Sequence, residues 1–359
     1  MNALPKISAP AAVESLFTPF QLGPSMRLKN RIILAPCTRN RSELDFTPTR
    51  SAIRHYASRA AAGLLITEGV VVAPEARGGP ALPGIYTQAH VDRWSEVTAA
   101  VHAKGGLIFS QLWHLGRMAH SFYSGTRALA PSAVLDDAPR HGERYYDFRH
   151  EMPVAMTDGQ VRDAIAAFQM AARRAREAGF DGIELHAANG YLFDQFLKQH
   201  TNRRTDAWGG TAEKRARFLK EVFDACAAEI GAERIGVRLS PADYMSEMVH
   251  TDGDEDALRI ALAHIERHKG AYVHTGAEDD VFCSYLGMTP TEFLRRNFAG
   301  TVIANGGYTP EAAAQGIEAR KADLYSFGRL FLANPDLVEK LFAGEPLRPY
   351  ARAVYDTMR

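Results

Sequence analysis

Eight short β-rich runs, each followed by a stretch of helical character, restrict this chain more than any other feature. The runs occupy residues 31–36, 64–72, 107–113, 182–187, 235–241, 270–276, 301–307 and 322–328. Between them lie segments rich in alanine and arginine. In 161–178, Val161, Ile165, Phe168 and Ala172 recur at three- and four-residue spacing and predict one apolar helix face, with Gly179 as its stop. The segments 211–230 and 254–268 read the same way. Strands alternating with helices imply a parallel sheet with right-handed crossovers. Eight such units predict an α/β fold of the closed (β/α)8 TIM-barrel type, in a single domain. An open doubly wound sheet is the alternative, but no GxGxxG follows the first run, where a dinucleotide fold would place it.

Thr38, Glu68, Gln111, Trp113, His186, Asn189, Arg238, Asn305 and Arg329 all fall at or just past the C-terminal ends of different runs. Barrel enzymes carry their active sites on that face. Any one of these residues equally suits a satisfied polar group at the rim. Several strand ends supplying polar groups together point to a site. Run seven closes on Asn305-Gly306-Gly307 and run eight on Phe327-Gly328-Arg329. Glycines let a backbone approach an anion closely, arginine adds a permanent charge, and phosphate often binds at these two loops.

The chain of 359 residues carries 42 Lys+Arg against 42 Asp+Glu, so the basic excess that marks nucleic-acid or anionic-membrane binding is missing. Cys37, Cys226 and Cys283 are scattered and make neither a metal cluster nor a disulfide framework. No HxH pair or carboxylate cluster sits at the strand ends to hold a metal. Residues 1–13 lack the basic-then-apolar order of a signal peptide, and no apolar run approaches spanning length. These features predict a soluble cytoplasmic protein, a monomer or homodimer, with a tail at 1–15 and the barrel over 16–359. The stretch 114–157, which includes Phe122, Tyr123, Tyr145 and Tyr146, is long enough to act as a cap over the mouth.

The ordered motifs narrow the chemistry. They begin with Asn30-Arg31, Ala35-Pro36-Cys37-Thr38-Arg39, Thr67-Glu68-Gly69 and Gln111-Leu112-Trp113-His114-Leu115-Gly116-Arg117. His186-Ala187-Ala188-Asn189-Gly190-Tyr191 comes next, followed by Asp194-Gln195-Phe196-Leu197. The stretch 202–210, then Arg238-Leu239-Ser240-Pro241, Phe327-Gly328-Arg329 and Asn334-Pro335-Asp336-Leu337 complete the series. In this order they resemble the old yellow enzyme family of FMN-dependent ene-reductases, while 245–280 matches it weakly.

The resemblance implies FMN as cofactor and NAD(P)H as hydride donor, with activated alkenes as small-molecule substrates. It places Pro36, Cys37, Thr38, Gly69, Gln111 and Arg238 around the isoalloxazine, and Asn305, Gly306, Gly307, Gly328 and Arg329 at its phosphate. His186 and Asn189 would hold a substrate oxygen, and Trp113 would wall the pocket. Tyr191 would supply the proton, since a phenol of pKa about 10 keeps it at neutral pH. The implied reaction is ping-pong reduction of the C=C bond of α,β-unsaturated carbonyl or nitro compounds. A nitroester, nitroaromatic or xenobiotic reductase using the same flavin site is the alternative.

Overall fold

The structure is a computed structural model that describes residues 9–136, 150–242 and 248–351. Tyr145 and Tyr146 of the expected cap, and residues 1–8 of the expected tail, lie outside that range. The strands, in chain order, are β1 (Phe20–Leu22), β2 (Met26–Leu28), β3 (Ile32–Leu34), β4 (Leu64–Val71), β5 (Ile108–Trp113) and β6 (Leu129–Ala130). They continue with β7 (Val154–Ala155), β8 (Gly182–Ala187), β9 (Ile235–Leu239), β10 (Tyr272–Thr275), β11 (Val302–Ala304) and β12 (Leu324–Phe327). Each of the eight runs read from the sequence forms a strand, and together they close into the expected barrel. Every neighbouring pair in the ring is parallel, and β12 pairs with β3 to shut it.

The helices α1 (Ser51–Ala57), α2 (Gln88–His102), α3 (Ser121–Ser124), α4 (Asp158–Glu177), α5 (Leu192–Leu197) and α6 (Ala212–Ile230) occupy the first part of the chain. Then follow α7 (Asp254–Arg267), α8 (Pro290–Asn297), α9 (Pro310–Glu318), α10 (Arg329–Ala333) and α11 (Leu337–Ala343). Threonine N-caps start many of them: Thr87, Thr157, Thr211, Thr289 and Thr309 each accept a backbone N–H of the first turn. Such a cap contributes about 1 kcal/mol. Thr157 with Gln160 and Thr289 with Glu292 form reciprocal capping boxes. Helix α4 buries Val161, Ala164, Phe168, Ala171, Ala172 and Ala175. Ile165, expected on that face, is only half-buried, because the stripe is turned toward the small alanines that let α4 lie close on its neighbours. No helix of the described residues is long and apolar enough to cross a membrane.

Strand alternation divides the core in two. Outward residues such as Ile32, Leu65, Ile108, Val273 and Tyr325 pack against the helices. Inward residues Ile33, Leu64, Ile66, Phe109, Tyr272, Ile303 and Leu324 form a separate cluster with Leu22, Met26 and Leu28 of the β1–β2 hairpin. That hairpin closes the floor of the barrel. Gly236 makes the floor possible, since a Cβ there would lie 2.1 Å from the Tyr272 ring.

Candidate active site at the barrel mouth

Two residues further along most of the strands, the same inward parity turns polar. Gln111 of β5, Glu184 and His186 of β8, Arg238 of β9, His274 of β10 and Ser326 of β12 point toward the mouth, and all are buried. Register places His186 beside Arg238, and Arg238 beside His274.

Arg238 gives the site its charge. Nη2 donates to Asn305 Oδ1 at 3.0 Å, while Nε and Nη1, both buried, have no hydrogen-bond partner among the described residues. A guanidinium that is 6% exposed with idle donors is costly unless an acceptor meets it. The arrangement therefore fits a ligand with an electron-rich edge. Asn305 is held from its other end, donating Nδ2 to the Ser326 carbonyl at 3.3 Å.

His186 and Tyr191 cluster with Trp113. Ring centroids lie 4.8 Å apart for Trp113–Tyr191, 4.9 Å for His186–Tyr191 and 5.9 Å for Trp113–His186. Burial foremost, with Arg238 adding to it, lowers the His186 pKa to about 3, so the ring is neutral near pH 7. Its buried Nδ1 has no hydrogen-bond partner among the described residues. Tyr191 stands just before α5 and accepts the Gln195 N–H on its carbonyl at 2.8 Å. Asn189 adopts φ +62°, a left-handed turn that asparagine tolerates. Ser240 Oγ accepts the Asn189 backbone N–H at 3.0 Å and lies 2.9 Å from Asn189 Oδ1. The same hydroxyl lies 2.8 Å from the Gly276 carbonyl, so Ser240 ties the Asn189 turn to the end of β10.

Gly69 sits against Trp113: a Cβ there would lie 2.3 Å from the indole, so the glycine sets where that wall stands. A register shift in β4 between Ile66 and Gly69 bends the strand at the mouth, as bulges beside active sites do. The bulged Glu68, grouped with the site residues by its position, serves structure instead. It accepts the Arg39 backbone N–H at 2.9 Å and pairs with the Arg39 guanidinium at 3.4 Å. That clamp fixes the chain that carries Pro36, Cys37 and Thr38. Burial raises the Cys37 thiol pKa, so it stays protonated at neutral pH.

At the last two loops, Gly306 and Gly307 have φ of +141° and +71°. Gly328 leaves room for Cys37 Sγ, 2.8 Å from where its Cβ would be. Arg329 is exposed and lies 3.9 Å from Asp279 Oδ1, a neighbour that strand-end position did not foretell. The structure thus brings Gln111, Trp113, His186, Asn189, Tyr191 and Arg238 together, and sets Gly306, Gly307 and Arg329 at the rim. Sequence reasoning missed Glu184, Ser240 and Ser326. Their signal was parity: Glu184 lies two residues before His186 and Ser326 two after Leu324, on inward positions.

Against known proteins, residues 15–348 match the family described as NADH:flavin oxidoreductase / NADH oxidase. The chain is 38% identical to 12-oxophytodienoate reductase 7 of Oryza sativa subsp. japonica, over 95% of this chain and 91% of that protein. The old yellow enzyme homologue from Zymomonas mobilis superposes with a TM-score of 0.87 at 38% identity, covering 95% of this chain and 96% of that one. Morphinone reductase in complex with tetrahydroNAD does so with a TM-score of 0.87 at 38% identity, over 95% and 94%.

Proposed function

The chain belongs to the old yellow enzyme family of flavin oxidoreductases, and from that premise we propose that it reduces the C=C bond of α,β-unsaturated carbonyl or nitro compounds by a ping-pong mechanism. NAD(P)H and the alkene take turns in one pocket. FMN, held by the residues named below, would supply the two-electron hydride chemistry that links the two.

The observation that carries this reading is Arg238, a buried cation with two donors that meet no acceptor among the described residues. Arg238 would stabilise the negative charge that collects at the flavin N1–C2=O edge on reduction. Gln111 would serve the pyrimidine edge and Thr38 the C4 carbonyl, with Pro36, Cys37 and Gly69 lining the ring. Asn305, Gly306, Gly307, Gly328 and Arg329 would frame the phosphate, Arg329 giving up Asp279 for it. His186, neutral and therefore able to donate one N–H, would converge with the Asn189 NH2 on the substrate oxygen. Two donors there pull electron density from the β-carbon and stabilise the developing enolate. Tyr191 would protonate the α-carbon, and Trp113 would hold the alkene against one face. Residues 114–157 would cap the mouth; among the described ones, Arg117 Nη2 lies 3.6 Å from Met248 Sδ.

The test is direct. Purified protein should be yellow, release FMN on denaturation, and bleach under NADPH or NADH in a stopped-flow cell. An enone and nitro-compound panel should then restore the colour. A colourless protein that takes up no added FMN overturns the reading.

A further inference from the structure

The Gln111 amide can lie either way round, and the two ways offer opposite groups to anything above it. Its orientation is decided from below. Nε2 donates to Glu184 Oε1 at 2.7 Å. The other carboxylate oxygen, Oε2, lies 2.8 Å from His274 Nδ1, and His274 Nε2 lies 2.8 Å from Ser326 Oγ. An ionised carboxylate only accepts, so Gln111 must turn its NH2 to it and His274 must carry its proton on Nδ1. Nε2 then accepts from the Ser326 hydroxyl. Every proton in the chain points toward Glu184.

Glu184 and His274 are fully buried and Ser326 is 4% exposed. Burial works against the charge on Glu184, but His274, Arg238 and the Gln111 amide more than offset it and leave the carboxyl below its ordinary pKa. His274 also lies below its ordinary value, through burial foremost, with Arg238 acting the same way against Glu184. Tyr272 and His186 are further titratable neighbours; burial and Glu184 keep the Tyr272 hydroxyl protonated, and burial foremost keeps His186 neutral. The order Ser326–His274–Glu184 is that of a hydrolytic triad. Here the hydroxyl-bearing Ser326 is buried, so no acyl substrate reaches it.

Resting on the flavin reading above, we propose that Glu184 is a positioning residue: a buried anion that, with His274 and Ser326, fixes the Gln111 amide, offsets the Arg238 cation, and holds the reduction potential of bound FMN below what Arg238 alone would set. Gln111 keeps one N–H and its oxygen free for the pyrimidine edge, always in the same order. Removing the anion frees the amide to turn and leaves Arg238 unopposed.

The experiment measures FMN dissociation constant and midpoint potential for the parent, Glu184→Gln and Glu184→Asp holoenzymes. Glu184→Gln should bind oxidised FMN about tenfold more weakly. Its potential should rise by about 30 mV or more, a tenfold change in a two-electron equilibrium. Glu184→Asp keeps the charge, so its potential should stay near the parent's even where affinity falls. A Glu184→Gln holoenzyme with the parent's potential would show a merely structural role and overturn the proposal. Should neither variant fold, 15N-histidine NMR of the parent decides: the His274 signal should show a protonated Nδ1 and a bare Nε2. The opposite tautomer, or an imidazolium, overturns the proposal. A parent chain that takes up no FMN overturns the flavin reading and this inference with it; a parent that binds FMN with an unmoved potential in Glu184→Gln overturns this inference alone.

Discussion

The floor and the mouth of the barrel are built by the same strands, and they differ in what their inward side chains leave unfinished. At the floor, Leu22, Met26, Leu28, Phe109, Tyr272, Ile303 and Leu324 close on one another. Burying such a side chain contributes roughly 1.5–3 kcal/mol, so this end stores stability. Two residues further along, Phe109 gives way to Gln111, Tyr272 to His274 and Leu324 to Ser326. There a guanidinium has two donors and an imidazole one nitrogen with no partner among the described residues. A step of two residues, roughly 6.6 Å along a strand, separates the part that holds the molecule from the part that acts.

That division can be attacked from either end. The largest expected effect is at the mouth: Tyr191→Phe should slow enone reduction by about 10²–10⁴ while flavin reduction by the nicotinamide keeps its rate. Equal turnover of cyclohexenone by variant and parent would remove Tyr191 from the chemistry. Next, Arg238→Ala should cost about a hundredfold in FMN affinity, within the 2–5 kcal/mol expected for a buried charged partner. The change also deprives buried Glu184 of a neighbouring cation and Asn305 of its donor, so the apoprotein should melt modestly lower than the parent's; a collapse of apoprotein melting as large as that of a floor variant would join mouth and floor in one energetic unit. At the floor, Leu324→Ala should destabilise by about 2–5 kcal/mol in denaturant titration, with FMN affinity per folded molecule unchanged. A comparable loss of affinity there would break the division.

The smallest effect is a pH dependence. His186 and His114 are held neutral, with pKa values of about 3 and about 4, burial being the chief cause in each. Unfolded histidine titrates near 6.5, so below that pH the unfolded chain binds more protons than the folded one. Stability from these groups is full above about pH 6.5 and is lost as pH falls toward 4 and then 3. His186→Asn should flatten that slope in melting curves. Binding of a phenolic ligand, followed by its charge-transfer band, should show no His186 titration between pH 5 and 8. His186→Ala or Asn189→Ala should weaken that binding, and an unchanged band would refute the pairing of the two on one oxygen.

The fold was legible because short β-rich runs and stretches of helical character alternate eight times, and many of the intervals are punctuated by threonine caps or glycine stops. The residues at strand ends were legible for the same reason: in a barrel of known direction, the last residue of a strand has one place to go. Glu68 shows the limit. A bulge in β4 turned it to Arg39, and bulges depend on pairing across strands that a single run does not display. Glu184 and Ser326 were hidden differently. Their roles come from partners 90 and 52 positions from His274 in the chain, and only ring closure brings them within 2.8 Å. Asp279 beside Arg329 belongs to the weakly matched stretch after β10, where no motif guided the reading.

Ring closure also governs how the molecule comes into being. Arg31 donates to the carbonyl of Asp323, 292 residues later, and β3 must wait for β12 before either has both its neighbours. During synthesis the early strands emerge without the partner that seals them, and such long-range pairing is intrinsically slow. Gln111 and Arg238 are translated long before the final loops that complete their ring. Loading of the prosthetic group therefore belongs to the last act of maturation, and a ribosome stalled before β12 would display an open sheet edge with no pocket to fill.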